Sequence, residues 1–78
     1  MDNLEKRVLA LFAEEFGKKL DLLDDLNEQG INSIQFTQFF VKLEQELQIE
    51  VPDDKMDIYE LTTLKAVIEL IRQYMPKP

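Results

Sequence analysis

Apolar residues between positions 33 and 47 recur every three or four places, and this spacing constrains the fold more than any other feature of the chain. At about 100° per residue, an α-helix gathers such side chains onto one stripe that must be covered. Ile34 and Val41 fall almost opposite that stripe and are predicted to face solvent. We therefore predict a helix from about Ser33 to Leu47, with a buried stripe of Phe36, Phe39, Phe40, Leu43 and Leu47.

Two other segments show the same helical spacing. Residues 3 to 16 are predicted to form a first helix, with Asp2 and Glu5 as a capping box and Gly17 as its stop. A last helix is predicted to follow a cap at Thr62 or Thr63 and to end at Pro76. The apolar stripes of these two helices are Leu4, Val8, Leu11, Phe12 and Phe16, and Leu64, Val67, Ile68, Ile71 and Tyr74.

The two connections between the helices differ in length and in composition. Residues 18 to 32 lack a clean period but contain Leu20, Leu22, Leu23, Leu26 and Ile31, so this long connection is predicted to lie against the core. Residues 49 to 54 are predicted to end the second helix in a turn, because Pro52 cannot continue a helix. Residues 57 to 61 are consistent with either a short helix or an irregular turn.

These elements predict an all-α fold, a small bundle of three main helices plus one short helix. No alternating run is long enough to indicate a strand. With 78 residues, of which 45% are hydrophobic, the chain suits a single domain spanning residues 1–78 with one modest core.

The net charge of the chain limits the classes of partner that it is expected to bind. Sixteen acidic and nine basic residues give a net charge of −7, which argues against binding to nucleic acid or an anionic membrane. Basic protein surfaces fit better, although solubility alone explains the charge equally well. Because the apolar runs are too short to span a bilayer and no signal-like segment follows the first residues, we expect a cytoplasmic protein. We also expect a monomer that meets its partners transiently.

The chain lacks most of the residue types that commonly act in catalysis. It contains no His, Cys or Trp, so a histidine-based triad and a thiol nucleophile are excluded. No base is placed near Ser33 by sequence spacing, and we expect no catalytic residue and no enzyme activity. Taken alone, Ser33 is most simply a helix cap, and the exposed patch around Ile34 and Val41 is most simply an ordinary surface.

The pattern Leu-x-x-x-Gly-hydrophobic-Asp-Ser-Leu at the start of the second helix is matched by Leu26, Gly30, Ile31, Ser33 and Ile34. Together with two further groups of residues, this match resembles the acyl and peptidyl carrier protein family. The order and spacing of these groups extend the resemblance over nearly the whole chain. The other two groups are Leu43-Glu44 followed by residues 49 to 53, which read Ile-Glu-Val-Pro-Asp, and residues 61 to 64, which read Leu-Thr-Thr-Leu.

The resemblance implies a cofactor, a site and partners. A phosphopantetheinyl transferase would attach 4′-phosphopantetheine to the Ser33 hydroxyl, and the cofactor's thiol would then hold an acyl or aminoacyl group as a thioester. Acyl-loading and acyl-processing enzymes would be the other partners of a free-standing carrier. No metal is implied.

Two departures from the family pattern concern recognition. Asn32 replaces the usual Asp, and residues 34 to 38 lack the acidic side chains that fatty-acid carriers place there. Partner binding is therefore expected to depend on Asn32, Ile34, Thr37, Gln38 and Val41 more than on charge. This favours polyketide or nonribosomal peptide biosynthesis, with fatty-acid synthesis as the alternative.

Two other classes of function compete with the carrier interpretation. Asp25, Asn27, Gln29 and Gly30 imitate the start of a calcium-binding loop, but the pattern fails at Phe36, where a bidentate Glu is required. It also fails at Asn32, where an apolar residue is usual. A carrier-like helical domain that is never modified and acts as an interaction module stays open, although a serine at position 33 argues against it.

Overall fold

A computed structural model describes residues 2–75 of the chain. It contains three α-helices, α1 (Asn3–Phe16), α2 (Ser33–Leu47) and α3 (Leu64–Tyr74), and a short 3₁₀ helix at Asp53–Lys55. No strand occurs in this range, so the predicted all-α fold is confirmed. None of the described helices is long and apolar enough to span a bilayer.

α1 begins and ends as its sequence predicts. Asp2 accepts a hydrogen bond from the Glu5 N–H, and the Glu5 side chain accepts one from the Asp2 N–H, which completes the capping box. Gly17 closes the helix in the left-handed conformation, with a φ of 69°. The bond from the Glu5 N–H and the neighbouring Arg72 guanidinium both lower the pKa of the Asp2 carboxyl.

α2 ends at Leu47, as predicted, but Pro52 is not what ends it. The helix stops at Leu47, and Gln48 adopts the left-handed conformation with a φ of 56°, well ahead of Pro52. The N–H groups of Gln48 and Ile49 both donate to the Glu44 carbonyl, which closes the last turn without any help from the proline. The end of α2 is therefore set by a backbone cap.

In the segment before α3, the turn is the second of the two predicted alternatives, and the short helix lies earlier in the chain. The short helix lies at Asp53–Lys55, whereas residues 58 to 60 form a turn. Thr63 caps α3 because its hydroxyl accepts a hydrogen bond from the Ala66 N–H at 3.1 Å. α3 ends at Tyr74, and the predicted stop at Pro76 lies outside the described residues.

The core joins α1 to both other helices and to the connections. Phe12 of α1 meets Phe39 of α2 edge-to-face at a centroid distance of 5.3 Å. The Cα radius of gyration is 11.5 Å, which is about the value expected for a compact chain of this length. The buried residues are Val8, Phe12, Leu26, Ile31, Phe36, Phe39, Phe40, Leu43, Leu47, Ile49, Val51, Ile58, Leu64, Val67, Ile68 and Ile71.

The connection between α1 and α2 packs on the core, but one of its leucines does not. Leu26 and Ile31 are buried and Leu20 and Leu22 are half-buried, as predicted. Leu23 is 71% exposed, so the prediction that it packs inward is wrong. Leu23 lies at the corner of a turn in which the Asp24 N–H donates to the Asp21 carbonyl, and this turn directs it outward.

Candidate functional site

The connection that leads into α2 is fastened at three points. The Leu26 N–H donates to the Thr62 carbonyl at 2.8 Å, which ties the connection to the segment before α3. The Lys18 ammonium donates to the Gln29 carbonyl at 2.7 Å, which joins the start of the connection to its later part. Ile31 is buried and its N–H donates to the Leu26 carbonyl. The chain therefore enters α2 from a fixed direction.

A single glycine makes this entry possible. Gly30 has a φ of 82°, in the region that residues with a side chain rarely adopt. The turn at Gly30 lets Ile31 point into the core while the next two residues face solvent. The Gly30 position of the carrier motif thus has a conformational reason in this chain.

Asn32, and not Ser33, is the N-cap of α2. The Asn32 side chain accepts a hydrogen bond from the Gln35 N–H at 2.8 Å, and the Gln35 side chain accepts one from the Asn32 N–H at 3.1 Å. The interpretation of Ser33 as a helix cap is therefore wrong. Asn32 forms the cap because its backbone is extended, whereas Ser33 is already the first helical residue. Ser33 is left without a structural task for its side chain.

The surroundings of Ser33 suit an added anionic group. Ser33 is exposed, and its hydroxyl makes no hydrogen bond to any of residues 2–75. Within the same range, the N–H groups of Ser33 and Ile34 have no acceptor, as is usual in the first turn of a helix. Free N–H groups and the positive end of the helix dipole stabilise an anion at this place. A phosphodiester on the Ser33 oxygen would lie close to these N–H groups and to the positive end of the helix dipole.

Four of the five residues predicted to contact partners share one face of α2. Ile34, Thr37, Gln38 and Val41 are spaced three, four and seven places apart, so their side chains lie in one row running away from Ser33. The predicted exposure is confirmed, since Ile34 is 68% and Val41 is 43% exposed. Thr37 is also linked to the attachment end, because its hydroxyl donates to the Ser33 carbonyl at 2.8 Å. We call these four residues the outer face of α2.

One exposed side chain was not identified from the sequence. Tyr59, in the turn before α3, is 79% exposed and is the most exposed large apolar residue within the described range. In the sequence, Tyr59 is an aromatic residue beside acidic residues in a segment without helical period. This pattern does not predict exposure, because it also fits a side chain that faces the core.

The candidate calcium loop folds in another way. The Asp25 carboxylate accepts hydrogen bonds from the Asn27 N–H and the Glu28 N–H, so it stabilises a turn of the connection. Within residues 2–75, no group of three or more acidic side chains is arranged to hold a metal ion.

A family model and a related protein match most of the chain. The family model described as "Phosphopantetheine attachment site" matches residues 6–71. The acyl carrier protein of Rickettsia bellii (strain OSU 85-389) is 28% identical over 75 residues, which cover 91% of this chain and 86% of that protein. No solved structure matches the chain significantly.

Proposed function

The chain belongs to the phosphopantetheine-attachment family of carrier proteins, and on that premise we propose that the Ser33 hydroxyl holds the cofactor. The cofactor itself, covalently attached 4′-phosphopantetheine, follows from the family. The observation that carries the choice of residue is that Ser33 is the only serine among the 78 residues. It is also exposed at the first position of α2.

The attachment is a phosphoryl transfer in which this chain supplies the nucleophile. The Ser33 oxygen forms a bond to phosphorus, the pyrophosphate bond of coenzyme A breaks, and adenosine 3′,5′-bisphosphate leaves. The hydroxyl proton passes to a base of the transferase, because no side chain among residues 2–75 is bonded to this hydroxyl. This chain contains no cysteine and so has no thiol of its own. Once attached, the cofactor supplies a thiol that holds acyl groups as thioesters.

The partners are proteins that act on the attached group. Carrier proteins of this family meet a phosphopantetheinyl transferase and acyl-handling enzymes. In this chain, Asn32 and the outer face of α2 lie beside Ser33 and offer such enzymes two exposed aliphatic side chains. Residues at this position contact any enzyme that reaches the serine.

The charge of α2 favours a specialised pathway. The first turn of the helix carries no acidic residue, so contacts there depend on shape and apolar area. We assign the carrier to polyketide or nonribosomal peptide biosynthesis on this ground. Fatty-acid synthesis is the second candidate, supported by the similarity to the acyl carrier protein of Rickettsia bellii.

The test is the intact mass of the chain after incubation with coenzyme A and a broad-specificity phosphopantetheinyl transferase. We expect the added mass of one phosphopantetheine, located at Ser33 by fragmentation, and no addition to Ser33→Ala. Thr62→Val is the control, since it removes a hydroxyl in the segment before α3, to which the proposal gives no role, and should leave loading intact.

Two results would overturn the assignment. Loading of Ser33→Ala would show that another residue holds the cofactor. Absence of loading in the wild-type chain with several transferases would favour an unmodified interaction module. Because Ser33 does not cap α2, Ser33→Ala should melt like the wild type, so loss of loading would not reflect loss of folding.

A further inference from the structure

A groove opens between α1, the connection that follows it and the start of α3. Its volume is about 510 Å³, which lies within the range of pockets that hold small ligands. The apolar part of its lining comes from Leu9 of α1 and from Leu22 and Leu23 of the connection. The exposed Leu23 therefore borders a concave surface and is not an isolated apolar side chain.

Hydrogen bonds fix the wall of the groove that the connection forms. The Lys65 N–H donates to the Leu22 carbonyl at 3.0 Å, which joins this wall to the first turn of α3. The turn between Asp21 and Asp24 is closed twice. The Asp24 N–H donates to the Asp21 carbonyl, and the Asp21 N–H donates to the Asp24 carboxylate at 3.0 Å. Because the groove is already formed in the folded chain, a ligand that enters it orders little of the backbone.

Three carboxylates and one ammonium group border the groove. The acidic residues are Glu5 of α1 and Asp21 and Asp24 of the connection, and the basic residue is Lys65. Within the part of the chain that the structure describes, none of these four side chains takes part in an ion pair. The excess of negative charge favours a ligand that carries a positive group beside an apolar one. An uncharged hydrocarbon chain would gain nothing from these carboxylates.

The groove lies within reach of an arm attached to Ser33. The Ile31 N–H donates to the Leu26 carbonyl at 3.2 Å, so the chain between Asp24 and Ser33 folds back on itself. Standard backbone dimensions then place the Cα atoms of Asp24 and Ser33 at most about 21 Å apart. At the extension of a peptide chain, the roughly 14 bonds from the serine oxygen to the cofactor thiol span about 16 Å, and the serine side chain and the cargo add about 5 Å.

We propose that this groove holds an aminoacyl group carried on the arm, with the α-ammonium among the carboxylates and an apolar side chain against the leucines. The proposal rests on the proposed function and names the class of cargo, an amino acid with an apolar side chain. An amino acid joined to the thiol through its carboxyl carbon keeps its ammonium group. A simple acyl thioester has no such group, so the groove distinguishes the two classes of cargo.

The arm allows even a weak site to be occupied. A short flexible tether holds its end at an effective concentration on the order of millimolar, so a groove with a dissociation constant of about 1 mM would be filled about half of the time. Each exposed carboxylate attracts the ammonium only weakly, because water and salt screen the charges. The aminoacyl group can therefore leave the groove readily when a partner enzyme docks.

The test compares two cargoes that differ in the ammonium group alone. The broad-specificity transferase would load the chain from coenzyme A derivatives that carry leucine or 4-methylpentanoic acid, each joined through an amide in place of the thioester. We expect the leucyl cargo to change the NMR shifts of the backbone N–H groups of Leu9, Leu22 and Leu23, relative to the arm without cargo. The 4-methylpentanoyl cargo should leave them unchanged. Added salt should reduce the leucyl-dependent changes.

A pair of charge variants tests the role of the carboxylates. Asp21→Asn with Asp24→Asn removes two negative charges from the groove and keeps a side-chain oxygen that accepts the bond from the backbone of residue 21. The leucyl-dependent shift changes should fall at least twofold. Asp53→Asn with Asp54→Asn is the matched control, since it removes the same charge from the 3₁₀ helix and should leave the changes intact. Equal melting temperatures of the variants confirm that folding is unchanged.

The outcomes separate the groove from the attachment site. Equal shift changes with both cargoes, or none with either, would overturn the groove proposal while the Ser33 assignment stands. An equal fall in the two double variants would also overturn it, because the charge of the groove would then have no special part. Failure of the wild type to accept the arm overturns both proposals, since the groove requires a tethered cargo.

Discussion

The two faces of α2 both carry apolar side chains, but the rest of the described chain covers only one of them. The inner residues Phe36, Phe39 and Leu43 are at most 1% exposed, whereas Ile34 and Val41 on the outer face are 68% and 43% exposed. The difference lies in the phase of each residue around the helix and not in its hydrophobicity. The residues that stabilise the fold and the residues proposed to contact partners thus lie on opposite faces of one helix.

This separation means that the outer face can change without loss of the fold. Inner side chains contact α1, as the edge-to-face pair of Phe12 and Phe39 shows. The outer face lies beside Ser33, where the proposed partners act. The free energy of unfolding should therefore respond very differently to substitutions on the two faces, and three variants measure the contrast.

Phe39→Ala should have the largest effect on the free energy of unfolding. Its ring is buried and also contacts Phe16, so truncation leaves a cavity and should cost about 3–5 kcal/mol. For a domain of this size, such a loss approaches the whole stability. Urea denaturation monitored by circular dichroism measures it. A loss below about 1 kcal/mol would show that the inner face is less well packed than the structure indicates.

Asn32→Ala should have an intermediate effect. The substitution removes the side-chain acceptor of the Gln35 N–H and should cost about 1 kcal/mol. Ser33→Ala, one residue later, is the control and should leave the free energy of unfolding nearly unchanged. Equal losses in the two variants would mean that Ser33 contributes to the cap after all.

Ile34→Glu should have the smallest effect on stability. Its side chain is mostly exposed, so the free energy of unfolding should change by less than about 0.5 kcal/mol. Loading by the transferase should nevertheless slow, because the substitution puts a charge into an apolar contact beside Ser33. Val41→Glu is the companion variant. A large fall in melting temperature for either one would contradict the division of α2 into two faces.

The helices could be predicted from the sequence because their apolar residues repeat with the helical period. The bounds of α1 and α2 are as predicted, and all five residues of the inner stripe of α2 are buried. Local chemistry also identified the capping box at Asp2 and the left-handed Gly17. In each of these cases, interactions within a few residues decide the structure.

The connections could not be predicted to the same depth, because no period relates their residues to the core. Leu22 and Leu23 are adjacent and chemically identical, yet only Leu22 packs inward, since a turn at Asp21 and Asp24 sets the direction. The exposure of Tyr59 could not be predicted for the same reason. The choice between Asn32 and Ser33 as the cap depends on the backbone angles set by the turn at Gly30, which the residue types alone do not specify.

The fastening of the connection before α2 has a consequence for the delivery of cargo. The bond from the Leu26 N–H to the Thr62 carbonyl and the burial of Ile31 hold the backbone just before the proposed tether against the core. The thiol then explores space through the arm alone. Its effective concentration at a docked active site depends on how well the arm spans the distance from Ser33. If Ser33 holds the arm, as proposed, enzymes that dock with their active sites at a similar distance from the serine meet the thiol at a similar effective concentration.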